Sequence, residues 1–285
     1  TDPDLPVWLA DFSSSLKLKP IILDGVSVVC NVSQDRPRPF VPSSLRRQVF
    51  QSLHQLSHPG SRATQLLIST RFVWPRLKKD VALWCRQCVA CQTSKISTNV
   101  RTPFNFIPVP GRRFQTIHID LVGPLPTSHG KSYLFTIIDR TSRWFEAVPL
   151  SSTTSAECAL ALVNNWISRY GMPEQVVSDR GPQFTSSVWK HVSEVLGFKK
   201  IRTTAYHPQS NGMVERFHRS LKNSLRCALS SSDWYPALPW VLLGLRSQPR
   251  LDTGISPAEL VFGSPLSVPG EMIQLGSELP APQFL

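Results

Sequence analysis

The sequence predicts an α/β layered domain preceded by a small helical metal-binding module, and three observations carry that expectation. Leu45, Val49, Leu53 and Leu56 recur at helical spacing beside a His/Cys set. A proline-bearing stretch without periodicity, residues 92–113, then divides the chain. Beyond it Ile117, Ile119 and Leu121 alternate as a strand requires, and strand-like and helix-like segments follow in turn.

Taken in order, residues 1–42 carry several prolines and one β-like stretch, Ile21–Val29, turned at Asp24-Gly25. Ser43 or Ser44 is positioned to cap the first helix, and Pro59-Gly60 to end it. Further helices fit residues 64–70 and 77–85. After the divide, strands are expected at 117–121, 133–138 and 144–148, making a meander. Residues 154–170 read as a helix closed by Gly171, with Pro173 just beyond. A strand at 175–178, a helix through 188–196 closed by Gly197, a strand at 200–204 and a helix from about 213 to 229 come next. Asp233 reads as the cap of another helix, and Ser256-Pro257-Ala258-Glu259 as a capping box with Pro at the first helical position. The order βββαβαβα supplies helices enough to cover a mixed sheet. There is no internal repeat and no low-complexity tract.

Charge narrows the partner. The 285 residues carry a formal net charge of +12. Residues 44–114 hold twelve basic groups against the single acid Asp80, whereas residues 115–285 hold fifteen against thirteen. A concentrated positive excess suits a polyanion, with a plain solvated surface as the alternative. No apolar run approaches the ~18 residues a membrane span needs, and neither a membrane partner nor a small-molecule substrate is expected. The first residue is Thr1 and no signal peptide pattern follows, which suggests a piece of a longer translation product. The 25 prolines exceed the usual share of about 5% and point to stiff, sharply bounded segments. Six cysteines, three of them at positions 85, 88 and 91, fit metal binding better than a disulfide framework.

His54 and His58 are four apart and would share a helix face, although Pro59 disfavours helical geometry at His58. Cys88 and Cys91 follow thirty residues on. Two imidazoles and two thiolates form a closed tetrahedral set for Zn²⁺, structural rather than catalytic, in a module too small to rely on its core. The bland reading is two surface histidines and buried free thiols. Cys85 and Cys88 also make a C-x2-C pair, but Cys85 shares the apolar register of Val81 and Trp84 and reads as core.

Three acids stand out in the second part. Asp120 lies in the first strand on the face opposite Ile117, Ile119 and Leu121. Asp179 ends the strand at 175–178, and Glu215 opens the helix striped by Val214, Phe217, Leu221 and Leu225. Converging at one end of a sheet, these carboxylates would hold Mg²⁺ or Mn²⁺ for in-line displacement at phosphorus. Spacing alone is weak support, since surface acids and a helix-start Glu arise without any metal.

The flanking residues change that balance. His118-Ile119-Asp120-Leu121-Val122-Gly123-Pro124, Ser178-Asp179-Arg180-Gly181-Pro182-Gln183-Phe184 and Tyr206-His207-Pro208-Gln209-Ser210-Asn211-Gly212-Met213-Val214-Glu215-Arg216 resemble the catalytic blocks of retroviral and gypsy-type retrotransposon integrases. His54, His58, Cys88 and Cys91, with Phe72-Val73-Trp74-Pro75 between them, resemble the zinc-binding amino-terminal module of the same family. The resemblance covers about residues 41–270, in the family's order and spacing.

It implies an RNase H-like core in which Asp120, Asp179 and Glu215 bind the catalytic metals, Mg²⁺ or Mn²⁺. It also implies 3′-end processing and DNA strand transfer, the enzyme inserting element DNA into host DNA. Residues 208–212 resemble the family's mobile loop beside the site, making Gln209, Asn211, Arg219 and Lys222 candidate DNA contacts. Element-end and target DNA, self-association and a nuclear location are further implications. The divisions expected are a polyprotein connector (1–41), the zinc module (42–95), a linker (96–112), the core (113–270) and the truncated start of a carboxyl-terminal region (271–285). Two rival readings stand beside this one: an RNase H-type nuclease, and a truncated or host-adopted DNA-binding relic without activity.

Overall fold

The computed structural model describes residues 16–23, 26–34, 36–94, 112–179, 181–202, 208–228 and 233–269. The chain opens with a three-stranded sheet of β1 (Leu18–Leu23), β2 (Val26–Asn31) and the short β3 (Arg38–Pro39). Asp24-Gly25, the expected turn, lies outside the described residues. Val73 N–H donates to Pro39 O and Val41 N–H to Val73 O, so this sheet is stitched to the helical module that follows.

That module holds α1 (Ser43–His54), α2 (Ser61–Ser69), α3 (Leu77–Gln87) and α4 (Val89–Ser94). Their apolar stripes meet in one cluster built on Phe50, Leu53, Leu67, Ile68, Phe72, Trp74 and Val81. Two local expectations fail here. Neither Ser43 nor Ser44 caps α1, because both lie within the helix; Pro42 takes the N-cap position and offers no side-chain acceptor. The helix also stops at His54 rather than at Pro59-Gly60, and His58 adopts a left-handed φ of 46°. Pro59 disfavours αR at His58, the residue before it, and His58 lies outside that region.

The second unit is a five-stranded mixed sheet in the order β6-β5-β4-β7-β8. The strands are β4 (Thr116–Val122), β5 (Tyr133–Asp139), β6 (Phe145–Leu150), β7 (Gln175–Ser178) and β8 (Lys199–Arg202). The first three form the antiparallel meander, and β7 and β8 add in parallel after helical crossovers. One crossover is a continuous helical run of α5 (Ser155–Leu162), a π-helical turn (Val163–Ile167) and α6 (Ser168–Tyr170). Thr154 caps it and Gly171, at φ 82°, closes it. The other is α7 (Pro182–Thr185) with α8 (Ser187–Leu196). These helices bury one sheet face, where Ile117, Ile119, Phe135 and Ile137 meet Leu162, Trp166, Phe184 and Trp189.

The opposite face takes α9 (Pro208–Ala228) and α10 (Leu238–Ser247), with Val122, Leu134 and Ile138 against Val214, Leu221, Leu225 and Val241. A last helix, α11 (Pro257–Phe262), starts in the expected capping box of Ser256 and Glu259. Asp233 does not cap α10, which begins five residues later. Its carboxylate instead accepts from the Ser128 hydroxyl.

The zinc module packs against α9 and α10. Ser224 Oγ–H donates to Ser57 O at 2.5 Å. Gly244 lies so close to the 56–57 turn that an added Cβ would sit 2.7 Å from Leu56 Cβ. Val268 inserts into the module's core, and Arg71 donates to Leu266 O, so the chain after α11 straps both units together.

One buried ion pair holds α10 to the edge strand. Arg246 reaches Glu146 at 2.5 Å, donates to Phe145 O at 2.7 Å and stacks 4.5 Å from the Trp144 ring centre. Truncating Arg246 to Ala leaves the buried Glu146 carboxylate with only the more exposed Arg169, 4.0 Å away, as a cationic partner, so a loss of about 3–5 kcal/mol is expected in urea denaturation. A change within ~0.5 kcal/mol would mean that Arg169, Tyr170 and Trp144, which also contact Glu146, suffice.

Candidate nucleic-acid-processing site and zinc centre

The zinc ligands come from four places: the last residue of α1, a left-handed residue four positions on, the residue between α3 and α4, and a position inside α4 itself. His54, His58, Cys88 and Cys91 bring one ligand atom each to within 4.8 Å of one another. Cys91 Sγ lies 3.3 Å from His54 Nε2 and 3.5 Å from His58 Nδ1, and Cys88 Sγ lies 3.5 Å from His58 Nδ1. A tetrahedron with Zn–S of about 2.3 Å and Zn–N of about 2.0–2.1 Å has S···N edges of about 3.5 Å. The donor set therefore fits zinc in spacing and in chemistry.

The surroundings orient it. Thr64 Oγ lies within 3.1–3.2 Å of the Gly60 and Pro59 carbonyls, to which its single proton is directed. Its oxygen is then free to accept from His54 Nδ1–H at 3.2 Å, which leaves the Nε2 lone pair facing the centre. Cys85 is buried beside the site, 3.9 Å from His54 Nδ1 and outside the four-ligand set. The shared helix face expected for the two histidines is absent; the αL turn at His58 brings its ring in instead.

In the core, sheet register brings the first two acids together. The parallel pairing of β4 with β7 runs Thr116↔Gln175 to His118↔Val177, so Asp179 falls in line with Asp120 on the neighbouring strand. Both are half-buried. Asp120 Oδ1 accepts from Leu121 N–H at 2.7 Å, and Asp179 Oδ1 from Gly181 N–H at 2.9 Å. Burial pushes the Asp120 carboxyl up to about 6; the negative Asp179 adds to this, while the Leu121 N–H and the positive Lys222 oppose it.

Helix α9 lies across this pair. Position 215 is one turn ahead of His218 on α9; the Glu215 side chain, like those of Gln209 and Asn211, lies outside the described residues. His218 Nδ1 is 3.6 Å from Asp120 Oδ2, and its Nε2 is 2.8 Å from Thr136 Oγ. Thr136 donates its proton to Asp120 O at 3.1 Å, so His218 Nε2–H donates to Thr136 and the Nδ1 lone pair faces Asp120. Burial, with the charge of Lys222, holds His218 down to about 4, so it is neutral near pH 7. A lone pair and a carboxylate facing each other call for a proton or a cation between them.

His218 and Thr136, which adjoin Asp120, are positions that the sequence reading did not single out. The signal for the first was present, as a histidine at i+3 from Glu215. Lys222 is exposed but acts electrostatically on both Asp120 and His218; Arg219 is exposed on the same helix. The loop expected at 208–212 has a helical backbone, because α9 already begins at Pro208, where a missing N–H costs nothing.

Because a cation must displace a proton at Asp120, divalent-metal affinity is expected to fall as pH drops through about 6. Above that value the carboxylate is ionised and the dependence flattens. Calorimetric titration with Mn²⁺ from about pH 5 to about pH 7.5 reads it. A flat profile would show Asp120 already ionised at the lower limit.

A zinc-stapled helical module beside a mixed sheet carrying paired carboxylates defines a class, the metal-dependent enzymes that process nucleic acid. Two family models match within it: Integrase zinc binding domain over residues 41–97, and Integrase core domain over residues 110–208. Together they span more than half of the chain. The chain belongs to the retroviral-type integrases. It is 30% identical over 230 residues to the Pro-Pol polyprotein of simian foamy virus type 3 (strain LK3) and 33% identical over 242 residues to the Gag-Pol polyprotein of feline leukemia virus. These alignments cover 80% and 81% of this chain but only 20% and 14% of the polyproteins. Among solved structures, the catalytic core domain of BIV integrase aligns with a TM-score of 0.42 and 26% identity, over 52% of this chain and 93% of that one.

Proposed function

We propose that this chain is the integrase region of a gypsy-type retrotransposon polyprotein, trimming the 3′ ends of the element's DNA and joining them to host DNA. The observation that supports this most is the placement of Asp120 and Asp179 side by side on adjacent parallel strands, under a helix that carries Glu215 one turn from His218. In this reading Asp120, Asp179 and Glu215 hold Mg²⁺ or Mn²⁺. The cations supply activation of the attacking oxygen and stabilisation of the leaving one. Thr136 orients His218, whose Nδ1 lies beside the Asp120 carboxylate, and Lys222, Arg219, Gln209 and Asn211 contact the DNA strands. His54, His58, Cys88 and Cys91 hold structural zinc.

Element-end DNA, target DNA and further copies of the chain are the proposed partners, and the nucleus is the proposed location, since the target is chromosomal. A disintegration assay on branched DNA tests the reading with Mg²⁺, with Mn²⁺ and without added metal. Metal-dependent rejoining supports strand transfer. DNA binding with no rejoining under either metal would favour the inactive relic, and hydrolysis confined to RNA in hybrids would favour the nuclease.

A further inference from the structure

Helix α9 carries a nitrogen donor to the Asp120 carboxylate. His218 Nδ1 stands 3.6 Å from Asp120 Oδ2, and the two side chains are only 13% and 33% exposed. Asp120 Oδ1 is already taken by Leu121 N–H, so Oδ2 is the oxygen turned to the histidine. Thr136, fully buried, gives its proton to Asp120 O and accepts from His218 Nε2–H at 2.8 Å. That fixes the imidazole tautomer, with a lone pair on Nδ1. Among the described residues nothing donates to Nδ1, and Lys222 makes no ion pair with Asp120. Two electron-rich atoms this close, largely screened from water, repel unless a positive charge lies between them.

The zinc centre contains the same device. There His54 donates Nδ1–H to Thr64 Oγ, whose own proton goes to the Gly60 and Pro59 carbonyls, and Nε2 faces the other ligands. At His218 the two ring nitrogens exchange roles. A buried threonine with its proton committed again holds one nitrogen and leaves the other as a donor to metal. Spacing agrees. Glu215 and His218 are three apart on α9, the Glu-x-x-His step by which one helix face offers a carboxylate and an imidazole to a metal. Two donors about 2.1 Å from one ion lie ~3.0 Å apart at an octahedral angle and ~3.4 Å apart at a tetrahedral one. The 3.6 Å gap therefore accepts a cation after a small side-chain movement.

We propose that Asp120 Oδ2 and His218 Nδ1 are paired ligands of one divalent cation, giving the site a nitrogen donor beside its carboxylates. The proposal rests on the reading of Asp120 as a metal-binding acid. Its consequence is selectivity, because an imidazole raises affinity for Mn²⁺ more than for Mg²⁺, a cation that takes oxygen ligands.

Pulsed electron paramagnetic resonance on zinc-loaded protein with one equivalent of Mn²⁺ tests it, since a directly bound imidazole imposes nitrogen modulation on the manganese echo. Zinc occupies His54 and His58 and so removes them as sources. The parent is expected to show the modulation and His218→Asn to lose it. Calorimetry should give a Mn²⁺ affinity lowered about tenfold or more in His218→Asn, with a smaller loss for Mg²⁺. Should His218→Asn lose its thermal transition, labelling only the histidines of the parent with the heavier nitrogen isotope decides, because the modulation must change isotope. Modulation that persists in His218→Asn overturns the proposal. So does a parent without modulation whose Mn²⁺ binding is lost in Asp120→Asn, a result that keeps the acids as a metal site. Mn²⁺ binding indifferent to Asp120→Asn sinks both readings. Modulation in a protein without rejoining keeps His218 as a ligand and sinks strand transfer.

Discussion

Replacing Glu215 with Gln is expected to lower metal-dependent rejoining of branched DNA by at least about a thousandfold while leaving DNA binding nearly intact. The amide keeps the shape of the side chain but removes the negative oxygen that a hard divalent cation requires. Stabilisation by a bound cation is worth several kcal/mol, and each 1.36 kcal/mol is a factor of ten in rate. Helix α9 should be indifferent to the change, because its packing rests on Val214, Leu221 and Leu225 rather than on position 215. The melting temperature is therefore the control. Rejoining by the variant at more than about a tenth of the parent rate would remove Glu215 from the metal set, whatever becomes of Asp120 and Asp179.

Stripping zinc is expected to unfold the amino-terminal module and leave the sheet folded. Structural zinc contributes about 10–16 kcal/mol in small domains, far more than a cluster formed by four short helices. Hydrogen exchange with and without a strong chelator should show residues 43–94 losing protection while β4 and β5 keep theirs. Cys91→Ser should reproduce the chelated state, since it breaks two of the three sulfur–nitrogen contacts of the cage. Some loosening of α9 should follow, because Ser224 and Cys227 bond to Ser57 and Ala90 of the module. Equal protection with and without chelator would show that the apolar cluster suffices.

Local rules made much of this protein legible without coordinates. Alternation at 117–121, the glycines at 171 and 197 and the Ser256–Glu259 box are signals between residues a few positions apart, and each marks an element that forms. The four zinc ligands were legible from chemistry and spacing, though not their geometry. A four-residue step implied a shared helix face, whereas Pro59 and the αL backbone at His58 close the cage. Asp233 shows the opposite failure, a sound cap signal overridden by a hydroxyl 105 residues away in sequence.

What lay wholly beyond the sequence depends on register and docking. Nothing local states that β7 pairs with β4 at the offset that sets Asp179 beside Asp120, or that His218, 98 positions further along the chain, reaches Asp120. The sequence by itself determined most of the elements, through signals between residues close along the chain. It singled out the His/Cys set and the three acids through their chemistry and through flanking motifs that resemble a known family. Only the tertiary structure decided which charges face one another, because that follows from how strands slide into register and helices settle on the sheet, and burial then sets how strongly those charges interact.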